Sequence, residues 1–463
     1  MRLSRLLLIA FLCLVCRHLW LITVDAPYLA SLPYNPRSYH GAQGRGAILA
    51  RDGTPLAESH GSLRLYPLGS ALAQSVGYLS PRYGRTGLES AYDALLSPFP
   101  PGESLWERLR EVWTRRADAR HRRVGSVITT IDPLIETRLA QELAAYPRAA
   151  GVVLDPRSGA ILALVSQPSY DPALLERAFP TLAHDPQSAL LNRAVDGLYP
   201  PGSTFKIVTA AAALQAGIAT LHTVYEDPGT IAIGGSVIHD DEGEATGEQT
   251  LLDAFALSSN VDFARLGVAV GRDRFLALAH AFGVGQSLPL PIEVARDRLP
   301  AADRIDDPTL AQLAFGQASL LVTPLRMALI TATVANGGVM MAPRLVERTI
   351  DGERHEQRNT PSVMAEPIGP ATAAALTLAM ERVVTNGTGL AAALPDIAVA
   401  GKTGTATNPA GAPDAWFVGF APATAPQVVI AIVVENAGYG GRVAAPIARR
   451  VLSTALAQPV RTP

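Results

Sequence analysis

Hydrophobic and polar positions set up three regimes along this chain. In the first, Arg2 and Arg5 precede eleven apolar residues, Leu6 to Cys16; Arg17 and His18 interrupt, and Leu19 to Val24 continues. The nineteen residues from Leu6 to Val24 would make ~28 Å of helix against a ~30 Å hydrocarbon core. A cleavable signal has a similar core length, but no small-x-small cleavage site follows. The pattern therefore predicts an uncleaved single-pass anchor over residues 1–25, its tail cytoplasmic because Arg lies on the inner side. Arg17 sits seven residues from the end of the span and can snorkel. Cys13 and Cys16 fit apolar lipid-facing positions better than a redox pair.

The second regime, residues 26–125, is turn-rich. Short strand-like runs such as Ala47–Ala50 and Ser62–Tyr66 alternate with Gly and Pro, which predicts a small β-rich module. Its last part, 97–125, places Leu105, Leu109, Val112 and Trp113 at helical spacing among seven Arg residues from Arg108 to Arg123. Two readings fit: a helix packed on its own protein with a solvated basic face, and a helix lying on a membrane surface.

The third regime, 126–463, mixes both periods. Asp132 can cap a helix running to about Ala145, with Pro133 at its first position. Gly151–Leu154 and Ala160–Val165 are apolar strands joined by a turn sequence. Ile207–Ala219 reads as an Ala-rich helix, Val428–Val434 as a fully buried strand, and Ala445–Ala457 as a closing helix. Strands at both ends with helices between predict an α+β domain, an antiparallel sheet covered by helices on both faces.

Composition sharpens this picture in two ways. The 463 residues are 48% apolar and 17% charged, with net charge −2. That argues against a disordered chain and gives no electrostatic footprint for nucleic acid. Cysteine occurs only at 13 and 16, so a disulfide scaffold is excluded. Second, 37 of the 39 basic residues are Arg; the lysines are Lys206 and Lys402. Arg cannot shed its proton in a protein, whereas Lys can. An amine needed for chemistry would stand out in this way.

Each lysine lies in a suggestive setting. Pro200-Pro201-Gly202-Ser203-Thr204-Phe205-Lys206 ends a turn where a helix begins. Ser203 then sits at a helix N-terminus, which favours developing negative charge, with Lys206 one turn on along the same face. A neutral Lys206 could take the Ser203 proton. Alone, the spacing also fits a Ser cap beside an exposed Lys. Ser258-Ser259-Asn260 lies in an apolar helical stretch. On a regular helix Ser258 and Asn260 would not share a face, but a loop between helices could aim both into one cleft, and a capping cluster fits as well. Gly401-Lys402-Thr403-Gly404-Thr405 reads as a strand with both Thr on one face. Gly404 permits close approach to the backbone, and Lys402 with the Thr hydroxyls makes a carboxylate site.

Ser-x-x-Lys, Ser-x-Asn and Lys-Thr-Gly in this order resemble the signature set of penicillin-binding proteins and serine β-lactamases, and both lysines fall inside it. Arg45-Gly46-Ala47-Ile48 with Arg51-Asp52-Gly53, and Gly87-Leu88-Glu89-Ser90-Ala91-Tyr92-Asp93, are similar to the start and end of the pedestal of class B penicillin-binding proteins. Asp414-Ala415-Trp416-Phe417-Val418-Gly419-Phe420, Phe315-Gly316-Gln317 and Val322-Thr323-Pro324 also match, although Ala318 replaces the usual Gly. No glycosyltransferase-like segment precedes the pedestal, as in class B rather than class A. The resemblance implies a peptidoglycan D,D-transpeptidase: Ser203 the nucleophile, Lys206 its base, Ser258 a proton relay, Asn260 a holder of the donor amide that also orients Lys206. Lys402, Thr403 and Thr405, beside Gly404, would hold the terminal carboxylate, and the Ser203 and Thr405 N–H groups would form the oxyanion hole. It further implies no metal or cofactor, covalent inhibition by β-lactams, an extracytoplasmic catalytic domain on the inner membrane, stem-peptide substrates and a SEDS-type glycan polymerase as partner.

Three other readings compete. A class D β-lactamase shares the Ser-Thr-Phe-Lys run, but Tyr-Gly-Asn and Glu-x-x-Leu-Asn are absent from the sequence. A D,D-carboxypeptidase differs only in using water as acceptor. A β-lactam sensor or scaffold would keep the site without turnover. A role in elongation, division or sporulation is not legible, nor is the acceptor residue.

Overall fold

The computed structural model describes residues 2–21, 42–98, 124–240, 245–408 and 411–457. The chain divides into two compact units: Met1–Thr129 with Tyr170–Pro180 and Arg348–Arg358, and the remainder.

In the first unit, a six-stranded sheet runs in the order Glu356–Arg358, Val346–Ile350, Ser126–Thr129, Ile48–Leu49, Pro55–His60, Leu63–Leu65. Short helices Gly87–Ala91 and Asp93–Leu96 follow. They carry Glu89 and Asp93 to Arg45, which donates to Glu89 Oε2 and Asp93 Oδ1, both at 2.7 Å. Arg64 reaches the other Glu89 oxygen at 2.7 Å. The 170–180 segment is fixed by aromatic contacts: the Tyr170 ring meets Tyr78 edge-on at 6.1 Å, and Phe179 stacks on Tyr83 at 3.9 Å. The unit therefore also takes in two short segments beyond the 26–125 block that the turn-rich pattern suggests. Strand Val346–Ile350 pairs more than 200 residues from its partner Ser126–Thr129, a separation that local periodicity does not reveal.

The N-terminal helix spans Arg2–Trp20, and from Phe11 to Trp20 it exposes Phe11, Leu12, Leu14, Val15, Leu19 and Trp20. Among the described residues no helix is long and apolar enough to cross a membrane. The expected anchor continued through residues 22–24, outside the described residues, as is most of the expected basic helix over 97–125.

The second unit is built on one antiparallel sheet. Its strands are β1 (Ala149–Leu154), β2 (Ile161–Gln167), β3 (Ala400–Ala406), β4 (Asp414–Ala421) and β5 (Val428–Val434), in the order β3-β4-β5-β1-β2. Every residue of β1, β4 and β5 is buried. Because successive side chains point to opposite faces, full burial means that helices cover both faces, as the continuous apolar run at 428–434 predicts. One face packs on α1 (Pro133–Leu143) and the C-terminal Ala444–Leu456 helix through Leu139, Phe417, Ile430, Ile432 and Val451. Asp132 caps α1 by accepting from Leu134 N and Ile135 N. Pro324–Ala335, buried along nearly its whole length, packs on β1, β4 and β5. Ala318 has φ +59°, the left-handed region that disfavours a Cβ.

Candidate active site

The first element is the turn at 202–206. Pro200 and Pro201 prevent an earlier helical start, and Gly202 takes φ +53° at no steric cost. A single 3₁₀ turn, Gly202–Phe205, then passes into α2 (Lys206–Gln215). A Cβ at Gly202 would lie 2.8 Å from Thr405 O, so its absence lets the turn press against β3. Ser203 faces the cleft while Lys206 is fully buried.

The second element is a break between helices. α3 (Leu251–Leu257) ends at Ser258, which adopts the left-handed conformation, φ +68°. Ser259 caps α4 (Asn260–Val270) by accepting from Asp262 N at 3.0 Å. The break brings Ser258 and Asn260 to the same amine, which a continuous helix would not do. Lys206 Nζ donates to Ser258 O (2.5 Å), Asn260 Oδ1 (2.9 Å) and Ser258 Oγ (3.2 Å).

The third element is β3. Alternation turns Thr403 and Thr405 toward the cleft and Lys402 away from it. Lys402 is fully buried and reaches Ser258 Oγ at 2.8 Å. Both lysines thus meet the Ser258 hydroxyl on the cleft wall, where β3 presents Thr403 and Thr405. Gly404 lies against the Ser203 turn, where a Cβ would come within 2.9 Å of Thr204 Cγ2. All eight expected site residues are therefore gathered in one place.

Behind Asn260 stands a carboxyl group that sequence patterns did not single out. Asp240 accepts from Asn260 N and from Val261 N (3.2 Å), the first free donors of α4. Burial, and then the neighbouring Asp227, push the Asp240 carboxyl up to about 6. Burial also pushes Asp227 up, but hydrogen bonds from Asp240, Gly229 N–H, Ser259 and Thr246 hold it below its ordinary value. Thr388 was missed too: its hydroxyl lies 2.5 Å from Thr403 Oγ1 on the cleft wall. The Gly-Thr-Gly run at 387–389 was its available signal.

The cleft, about 440 Å³, is lined by Ser203, Ser258, Thr403 and Thr405, with Tyr439 and Arg442 at its margin. Among the described residues no group of three or more metal-ligating side chains occurs. A hydroxyl at a helix start, a buried amine one turn on, a second hydroxyl shared by two amines, and a strand of threonines define a serine acyl-transfer site. Residues 149–453 match the family model "Penicillin binding protein transpeptidase domain", and 45–120 match "Penicillin binding protein A dimerisation domain". The chain belongs to the penicillin-binding protein transpeptidase family. It is 38% identical over 425 residues to peptidoglycan D,D-transpeptidase PbpA of Mycolicibacterium smegmatis, covering 85% of this chain and 84% of that one. It is also similar to penicillin-binding protein A of M. tuberculosis in its ceftriaxone acyl-enzyme complex, at 36% identity and TM-score 0.80, over 89% of this chain and 98% of the other. The D,D-transpeptidase domain from Eggerthella lenta is comparable, at 35% identity and TM-score 0.79, over the same shares.

Proposed function

We propose that this chain is a serine-type peptidoglycan D,D-transpeptidase that β-lactams acylate. The observation that carries the reading is the convergence of Lys206 and Lys402 on Ser258 Oγ beside Ser203. Ser203 Oγ bonds to the penultimate D-Ala carbonyl carbon while Lys206, neutral, takes its proton. Ser258 accepts from both amines and has a proton of its own to give, so it relays the proton to the departing D-Ala nitrogen as the C–N bond breaks. The backbone N–H groups of Ser203 and Thr405 receive the oxyanion; such donors are worth ~3–4 kcal/mol each when removed. An acceptor amine then attacks the ester, and its proton returns by the same path. Asn260, fixed by Asp240 and by donation to His239 O at 3.1 Å, aims Oδ1 at Lys206. In this scheme Lys402 acts through Ser258, and Thr403 and Thr405 meet the donor carboxylate.

The test is a fluorescent penicillin. A long-lived adduct on Ser203, absent in Ser203→Ala, supports the reading; an adduct mapped to Ser258 or Ser259 sinks it. Rapid hydrolysis of the drug indicates a lactamase. With stem peptides and an amine acceptor, a cross-linked product separates the transpeptidase from a carboxypeptidase.

The segment Leu6–Val24 anchors the chain with everything after Asp25 outside the cytoplasmic membrane. The exposed apolar side chains from Phe11 to Trp20 support this, as do Arg2 and Arg5 ahead of them. A mature N-terminus near Ala30 in mass spectrometry would refute the anchor. A SEDS-type polymerase partner rests on the family resemblance and is tested by co-purification from membranes.

A further inference from the structure

Lys402 is buried against Ser258, and a second cation reaches the open cleft. Among the described residues Arg442 is the one charged side chain lining the cleft. Its position follows from a close approach of backbone to β3. A Cβ on Gly440 would collide with Trp416 O and Gly404 O, and one on Gly441 with Thr388 O. Both glycines therefore seat the loop directly on the Lys402–Thr405 strand and on the Thr388–Thr403 hydroxyl pair. A turn follows, in which Arg442 N and Val443 N both donate to Tyr439 O, at 3.0 and 3.1 Å. It lays the Arg442 guanidinium over the Tyr439 ring, 5.3 Å from its centroid, a contact that restrains an otherwise exposed side chain.

We propose that Arg442 is a specificity-determining residue that attracts the carboxylate at the donor's C-terminus, and the equivalent ring carboxylate of a penicillin, to the threonines of β3. The proposal rests on the transpeptidase reading above. The threonine hydroxyls can hydrogen-bond a carboxylate but carry no charge. A guanidinium lining the same cleft supplies the attraction, and its planar fork fits a carboxylate. Arg442 contacts no reacting atom, so its effect falls on capture of the substrate rather than on the acyl-transfer step.

The experiment compares benzylpenicillin with its methyl ester, which has the same ring and side chain but no charge. Stopped-flow acylation is measured for wild type and Arg442→Gln, separating the dissociation constant of the initial complex from the acylation step. Wild type must first form the Ser203 adduct; failure there overturns the transpeptidase reading itself. Given that adduct, Arg442→Gln should weaken capture of the acid by about three- to tenfold, as expected for a partly solvated charge-assisted contact. The acylation step should be unchanged, and the ester should behave alike in both proteins. Arg442→Lys should recover part of the loss, and added salt should shrink the wild-type advantage. An equal loss on acid and ester would show that Arg442 only supports the loop. Unchanged capture of the acid would also overturn the proposal. Carbenicillin, with a second carboxylate on its side chain, closes the remaining route: a loss confined to it would assign Arg442 to the other end of the ligand and refute the placement.

Discussion

A cluster of buried cations in the first compact unit and one at the cleft of the second are built on opposite lines. In the first, Arg45, Arg64 and Arg85 meet Glu89 and Asp93 at 2.7 to 3.1 Å. Burial alone would push the Glu89 carboxyl up, yet Arg45 and Arg64 hold it below the ordinary value. In the second, the hydrogen bonds described for Lys206 and Lys402 end on a carbonyl, an amide and the Ser258 hydroxyl. A cation locked to carboxylates has little reason to change protonation state and serves as a fastening. An amine hydrogen-bonded to neutral oxygens changes its protonation state more readily than a cation locked onto carboxylates. The division of labour matches the residue types: permanent charge for the fastening, a titratable amine for the chemistry.

The largest effect that could break this contrast is on catalysis. Lys206→Arg keeps formal charge but removes the base, so the second-order acylation rate should fall by about 10²–10⁴-fold, while the melting temperature changes far less. A fall below about tenfold, well short of a general-base loss, would remove Lys206 from that role. Glu89→Ala asks the converse question. It strands Arg45 and Arg64, and breaking such a buried pair costs about 3–5 kcal/mol. Denaturant melts should register the loss, while the acylation rate per folded molecule stays near wild type.

The pH dependence of stability sharpens the contrast next. Glu89 is depressed, so its contribution is present above the ordinary carboxyl value and is lost as pH falls through its folded value. Asp240 is raised from 3.8 to about 6, so its contribution is complete below 3.8 and is lost as pH rises through about 6. Asp240→Asn keeps an acceptor for Asn260 N and Val261 N but cannot titrate. Its stability profile should lose the decline that wild type shows between pH 4 and 6. A wild-type profile with no Asp240-dependent slope in that window would contradict the raised Asp240 carboxyl. The smallest effect belongs to a site outside both clusters. Ala318→Gly removes a Cβ from a left-handed position at some cost in chain entropy, and a net gain of roughly 0.5 kcal/mol in a urea melt is expected.

Much of the second unit was legible because its signals are local. An unbroken apolar run marks β5, and Asp132-Pro133 marks the start of α1. The three motifs named the eight site residues. Other features depended on contacts between distant segments. Alternation along β3 separates Lys402 from Thr403, but only packing shows that the buried amine reaches Ser258 from behind the wall. The break at Ser258 was one of two open readings, because nothing within 257–261 enforces a left-handed residue. Thr388 and Asp240 lie 15 and 20 residues from the partners they contact, Arg442 enters from another loop, and no periodicity links loop positions at such separations. The late strands of the first unit were hidden for the same reason.

Those late strands also govern how the protein can be made. The first unit draws on residues as far along as Arg358, so the order of synthesis and the order of folding cannot coincide. At 5–20 residues per second, the 229 residues between Thr129 and Arg358 take on the order of 10–50 s to appear. Throughout that interval the edge of Ser126–Thr129 lacks its neighbour and must be kept from pairing elsewhere. A gene fragment cut at residue 125 would encode an incomplete sheet, however well it matched the turn-rich stretch of sequence.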